Sequence, residues 1–366
     1  MSIPKLDIGG LIADVPIIQG GMGVGISGKR LAAAVANQGG VGVIAGVDIG
    51  FDEPDFEKNF FEANLRALKS KIKEARELAP KGILAVNLMV AMNHYGEMAR
   101  AAAEEGIDLI ISGAGLPLKL PDYVKGLKTR IAPIVSSGRA AQTILHYWDT
   151  HYGKTADLIV VEGPEAGGHL GFSEEVLKSE KKPSVISIVK EVIEVAKTYR
   201  EKFNKTIPVI AAGGIFTGKD IAGCLEAGAG GVQMATRFVA THECDADLKF
   251  KEAYVNSQKD DIIIIKSPVG MPGRAIDNSF MKKVTEYGDE IKSCFKCLSG
   301  CNPKAAPYCI SKALINAVKG NIEDGLVFVG SNAYRIDKIV SVKELMDELV
   351  RETEAELGKH TQALMA

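Results

Sequence analysis

VVEGPEAGGHLG, residues 160–171, is the stretch on which fold and chemistry both turn. A β-branched run ends at Glu162, enters a turn too rich in glycine for a helix, and reaches a single histidine, His169. A strand apolar on both faces belongs to a parallel sheet covered by helices. Glycine lets a backbone come close to a ligand, so Gly163, Gly167 and Gly168 read as a surface on which something flat and large can rest. Imidazole is the side chain best suited to moving protons near neutral pH. An isolated GGH would serve equally well as an ordinary connection with a solvent-facing histidine, so the neighbouring segments decide.

Outward from this stretch the same pattern recurs. Apolar runs at 15–22, 41–45, 82–89, 108–115, 131–137, 158–163, 207–214 and 231–238 read as strands. Between them, helical patterns cover 29–38, 56–79, 98–104, a piece around Tyr123, 139–152 and 218–227. About eight such units predict an α/β protein built on a closed (β/α)8 TIM barrel, with its chemistry at the C-terminal ends of the strands. The alternative is an open doubly wound sheet. That fold would concentrate its polar turns at one switch point, whereas Gly20, Gly21, Asn87, Gly113, Ser136, Glu162 and Gly214 fall at the ends of different strands.

After Phe238 the alternation stops, which adds a C-terminal, mainly helical segment. Residues 245–257 and 281–291 read as helices, 261–266 as a short strand, and MPGRAIDN (271–278) as a loop. A further helix is expected over 308–319. GLVFVGSNAYRI (325–336) reads as a strand and a glycine turn, and a charged surface or interface helix covers 342–357. The expected division is a barrel over 1–243, an inserted or added helical and cysteine-rich segment over 244–330, and a turn back to the barrel mouth with the final helix over 331–366.

The bulk properties narrow the function. With 366 residues, 46% hydrophobic and 25% charged, the chain has ample material for a large core. A formal net charge of -2, with basic residues spread among acidic ones, argues against nucleic acid as a partner. No export signal and no long uncharged apolar run is visible, which predicts a cytoplasmic protein without a membrane span. Four of the six cysteines fall in CFKCLSGCNPKAAPYC, spaced Cys294-x2-Cys297-x3-Cys301-x7-Cys309. Four soft thiolates in one loop-rich segment suit an iron–sulfur cluster or zinc. The competing reading is reduced thiols or a redox-active pair.

Two late stretches, IPVIAAGGI (207–215) and GVQMATRF (231–238), follow the seventh and eighth strands, where barrels commonly bind phosphate through backbone amides. Gly213 and Gly214 would expose amides, and Thr236 would add a hydroxyl. Asn87 and Gln233 are amides on otherwise apolar strands. They are either satisfied within a core network or available to a heteroaromatic ring edge.

IIQGGM, AVNLM, VEGPEAGGHLG, IPVIAAGGI and GVQMATRF, in this order and spacing, resemble the nitronate monooxygenase family, formerly called 2-nitropropane dioxygenases. The superfamily includes the FMN-dependent enoyl-acyl-carrier-protein reductase. The resemblance covers residues 3–243 and the late GLVFVGSNAYRI turn. It implies FMN bound at the barrel mouth by Gly21, Met22, Asn87, Glu162, Gly167, Gly214, Gln233, Met234, Ala235 and Thr236, with His169 as the catalytic histidine. It further implies a small-molecule substrate, either a nitronate oxidised with O2, or an enoyl thioester or quinone reduced with NAD(P)H; a homodimer is compatible with either. Two positions depart from the family pattern. Glu162 is commonly Gln in the monooxygenases, and Ala235 replaces the usual glycine of the phosphate run. The cysteine run is similar to the cluster-binding run of the dienoyl reductases, though its last interval differs. From a different class, a flavin-free protein could use the same mouth for another phosphate ligand.

Overall fold

The computed structural model describes residues 2–365, with side chains through residue 359. Eight parallel strands close into a barrel in chain order: Ile17–Gln19, Val41–Ala45, Ile83–Met89, Leu109–Gly113, Arg130–Val135, Ile159–Glu162, Val209–Ala212 and Gly231–Met234. Closure comes where the last strand pairs with the first, Gln233 opposite Ile18 and Met234 opposite Gln19. The (β/α)8 expectation therefore holds, and the open-sheet alternative does not.

Period-two alternation explains what fills the barrel. Ile83 and Ala85, Leu109 and Ile111, Leu158 and Val160, and Ile210 point inward and form one apolar cluster. A short hairpin, Leu6–Ile8 paired with Leu11–Ala13, adds Leu6, Ile8 and Ala13 to that cluster and plugs the N-terminal end of the barrel. The opposite end stays open. A second, larger core lies between the strands and the outer helices.

Between the sixth and seventh strands the structure adds two helices that the sequence reading leaves out, the short Glu174–Lys178 and the long Val185–Phe203. Ser184 caps the long helix by accepting from the Ser187 amide, and Ile188, Val189, Val192, Ala196 and Tyr199 form its buried stripe. Asn204, in the left-handed conformation at φ 46°, ends it.

Two further readings are corrected. The final helix, Val342–Met365, read from sequence as a surface or interface helix over 342–357, belongs to the barrel's own outer layer. It packs against Gly218–Glu226 and Lys29–Asn37 and buries Val342, Leu345, Met346, Leu349 and Thr353. That is the place of the eighth outer helix, so residues 240–341 are inserted between the eighth strand and its own helix. The second correction concerns MPGRAIDN. Pro272–Ile276 is a strand, paired antiparallel with Ile262–Lys266 on one side and with Gly168–His169 on the other. Proline, glycine and a charged residue hide the alternation there, and Pro272, which has no N–H, sits at the strand's first position, where sheets tolerate it. The insertion thereby takes the His169 loop as its third strand. Among the described residues, no helix is long and apolar enough to cross a membrane.

Candidate functional site

A cavity of about 750 Å³ opens at the C-terminal ends of the barrel strands. His169, Gly21, Met22, Asn87, Glu162, Gly167, Gly214, Gln233, Met234, Ala235 and Thr236 all line it, so residues spread over more than two hundred positions meet in one space. The alternation that fills the barrel also places its polar side chains. Asn87 lies two residues beyond Ala85, and Glu162 two beyond Val160, so each is the next inward side chain above the apolar layer. Gln233 stands opposite Ala212, which in turn pairs with Glu162, giving one row across three neighbouring strands.

This row is under-satisfied from within the protein. Asn87 Nδ2 donates to Ile111 O at 3.3 Å, and its Oδ1 accepts from no donor among the described residues. Among the described residues, the Glu162 carboxyl and the Gln233 amide make no hydrogen bond. Burial pushes the Glu162 carboxyl up to about 7. All three side chains are half-buried and open onto the cavity, so whatever fills it can supply their missing partners.

A second set of donors lies beside the row. Gly213 and Gly214, at φ 94° and 80°, turn the chain after the seventh strand through a conformation that glycine adopts cheaply. Asn332 Nδ2 holds that turn by donating to Gly214 O at 2.8 Å. The amides of Gly214, Ala235 and Thr236 donate to no acceptor among the described residues, and Thr236 adds its hydroxyl at the start of the short helix Thr236–Val239. Unpaired amides at a helix start, with a hydroxyl beside them, suit a phosphate. The Ala235 methyl lies over Gly20, where an added Cβ would come within 3.3 Å of it. Phosphate donors on one side and ring-edge partners on the other fit FMN.

His169 owes its position to the insertion. It pairs with Gly273 in the three-stranded sheet, and its ring stands edge-on to Phe328, centroids 5.1 Å apart at 66°. Nε2 lies 2.7 Å from Ser267 Oγ. Burial lowers the imidazole to about 4, so the ring is neutral at pH 7. Buried Arg274 braces the loop from behind, donating to the carbonyls of Pro164, at 3.0 Å, and Ala166. Sequence reasoning missed Ser267, Met271, Arg274 and Phe328, all of which lie past the end of the βα alternation. The one available signal was the turn chemistry of SPVGMPG, which reads as a hairpin tip.

The iron–sulfur or zinc expectation for the cysteines finds no support in the structure. Among the described residues no group of three or more His, Cys, Asp or Glu side chains could hold a metal ion, and Cys294, Cys297, Cys301 and Cys309 are free thiols. Their environments diverge. Cys294 is exposed, whereas Cys297 is packed into the core as its carbonyl accepts from Asn93 N, and burial pushes its thiol up to about 12. Cys309 sits at the start of the helix Ile310–Val318. Regular spacing alone therefore does not establish a ligand cage here.

Fold and rim together define a (β/α)8 barrel with a polar cavity at the C-terminal ends of its strands. Residues 8–352 match the model for nitronate monooxygenase, and the chain belongs to that family. It is similar to a probable nitronate monooxygenase of Staphylococcus saprophyticus, 26% identical over 297 residues that cover 75% of this chain and 79% of the relative. It is also similar to a Mycobacterium tuberculosis enzyme named (3aS,4S,5R,7aS)-5-hydroxy-7a-methyl-1-oxo-octahydro-1H-indene-4-carboxyl-CoA dehydrogenase, 28% identical over 269 residues, 74% of this chain and 65% of that one. Among solved structures, FabK from Thermotoga maritima superposes with a TM-score of 0.73 at 28% identity, covering 95% of this chain and 96% of its own. Nitroalkane oxidase from Streptomyces ansochromogenes, at 20% identity and a TM-score of 0.68 over 95% and 97%, shares the fold.

Proposed function

We propose that this protein is an FMN-dependent nitronate monooxygenase, which oxidises alkyl nitronates with O2. The observation that carries the proposal is the pairing, in one cavity, of unpartnered ring-edge groups with unpartnered phosphate donors. Gly214, Ala235 and Thr236 would hold the phosphate. Asn87, Glu162 and Gln233 would face the ring edge, and Gly21, Met22, Gly167 and Met234 would line its bed. Bound FMN supplies the redox chemistry, carrying electrons from the substrate to oxygen. The protein orients both partners and keeps His169 beside the reacting group.

The electrostatics favour a substrate that arrives already deprotonated. A general base works best with a pKa near the working pH, and burial holds His169 at about 4.

A second reading, an NAD(P)H-dependent reductase of enoyl thioesters or quinones, is favoured by the likeness to FabK over 95% of this chain. Anaerobic mixing separates the two. Bleaching of the flavin by a nitronate, with slow bleaching by NADH and NADPH, supports the first. Rapid bleaching by a nicotinamide followed by reoxidation with a crotonyl thioester supports the second and overturns the first. A colourless protein that takes up no FMN removes both in favour of a flavin-free phosphate-binding barrel.

A further inference from the structure

We infer that Ser267 fixes His169 in the neutral tautomer with its proton on Nδ1, so that the imidazole meets the ligand as a hydrogen-bond donor. Ser267 is then a positioning residue, and the ligand group beside the ring is an oxygen acceptor.

The argument counts donors and acceptors around one hydroxyl. Ser267 is 3% exposed and opens the tight turn between Ile262–Lys266 and Pro272–Ile276. Its own N–H donates to Met271 O at 3.1 Å, and its carbonyl accepts from Gly270 N at 3.0 Å, so the backbone of the turn is satisfied. The Val269 amide lies 3.5 Å from Ser267 Oγ. An amide N–H can only donate, so it takes a lone pair and leaves the hydroxyl proton to be placed. Among the described residues, one acceptor lies within reach of Oγ, His169 Nε2 at 2.7 Å. A buried hydroxyl donates where it can, so Nε2 accepts.

A neutral imidazole has one N–H. With Nε2 accepting, the proton is on Nδ1. Burial keeps the ring neutral, and among the described residues no carboxylate bonds to it. Two further contacts hold the ring's orientation: the backbone pairing of His169 with Gly273 and the edge contact to Phe328. His169 lines the cavity and Ser267 does not. Nε2 is thus committed to the inserted hairpin, and Nδ1–H is the ring's one remaining polar atom, on a side chain that lines the cavity.

This changes the chemistry expected of the histidine. A ring offering N–H steadies negative charge already present on an oxygen; it does not take a proton from carbon. That the oxygen is a nitronate's rests on the function proposed above; the tautomer itself does not.

The test uses the whole protein labelled with 15N-histidine, purified and without substrate. Two-bond proton–nitrogen spectra at pH 7 separate the two tautomers for each of the six histidines, and His169→Asn assigns the signal. The expected result is a single Nδ1–H pattern for His169. Ser267→Thr, which keeps the hydroxyl, should preserve it, and Ser267→Ala should convert it toward the Nε2–H form or a mixture. An Nε2–H ring in the wild type, or an unchanged Nδ1–H pattern in a folded Ser267→Ala protein, overturns the inference. If Ser267→Ala does not fold, the wild-type pattern decides alone. No turnover is read, so a failure of the nitronate reading leaves this result standing and is seen separately in the mixing experiment.

Discussion

Replacing Glu162 with Gln isolates what it costs to keep a carboxylate above the apolar layer of the barrel. Burial raises this carboxyl from 4.5 to about 7. At about 1.36 kcal/mol per pH unit the gap corresponds to about 3 kcal/mol, and solvent in the cavity mouth reduces this to about 1–3 kcal/mol. Linkage gives the sign. Between 4.5 and about 7 the native state retains a proton that the unfolded chain has released. Stability therefore falls as the pH rises through that window, and the full loss is present above it. Glutamine does not titrate. In urea unfolding of the flavin-free proteins, the Gln variant should gain about 1–3 kcal/mol on the wild type between pH 4.5 and pH 8, as a shift of midpoint at constant slope. A difference between the two proteins that does not change with pH would refute the reasoning.

The histidine can be tested by geometry. The amide nitrogen of asparagine lies as many bonds from Cα as Nδ1, so His169→Asn should hold nitronate KM within about threefold of the wild type, while His169→Ala should raise it about tenfold, the worth of one hydrogen bond; equal losses would remove the donor role. Gly167→Ala puts a methyl 2.6 Å from the backbone of Val329. It should cost about 1–3 kcal/mol in thermal unfolding, whereas Gly223→Ala, with nothing within 4 Å, should be neutral or stabilising. For the thiols, Cys294 should react first with a disulfide reagent, and Cys224 and Cys244, buried and raised to about 11, only on unfolding.

Much of this was legible because barrel strands and their glycine turns are local. Each apolar run ending in Gly or a lone amide marks both a strand and its C-terminal end, so Asn87, Glu162, Gly214 and Gln233 could be placed on one rim without knowing any contact. What escaped was set by long-range pairing. Pro272–Ile276 becomes a strand only because Gly168–His169 and Ile262–Lys266 flank it, and nothing within MPGRAIDN carries that information. The role of Ser267 depends on a neighbour 98 residues away. The final helix looked like surface because its charged residues are numerous, yet its buried stripe is chosen by the grooves of Lys29–Asn37 and Gly218–Glu226. The cysteines mislead in the opposite sense, since regular spacing along the chain suggests a ligand set that finds no metal-holding group among the described residues.

The central claim is that the barrel mouth holds FMN, gripping its phosphate through Gly214, Ala235 and Thr236. Titrating the flavin-free protein with FMN and with riboflavin, by quenching of flavin fluorescence, addresses it directly. Two or three charge-assisted hydrogen bonds at about 1.5–3 kcal/mol each predict FMN binding at least about a hundredfold tighter than riboflavin, with the gap narrowing about tenfold in Thr236→Val. Equal affinity for the two flavins would contradict the account.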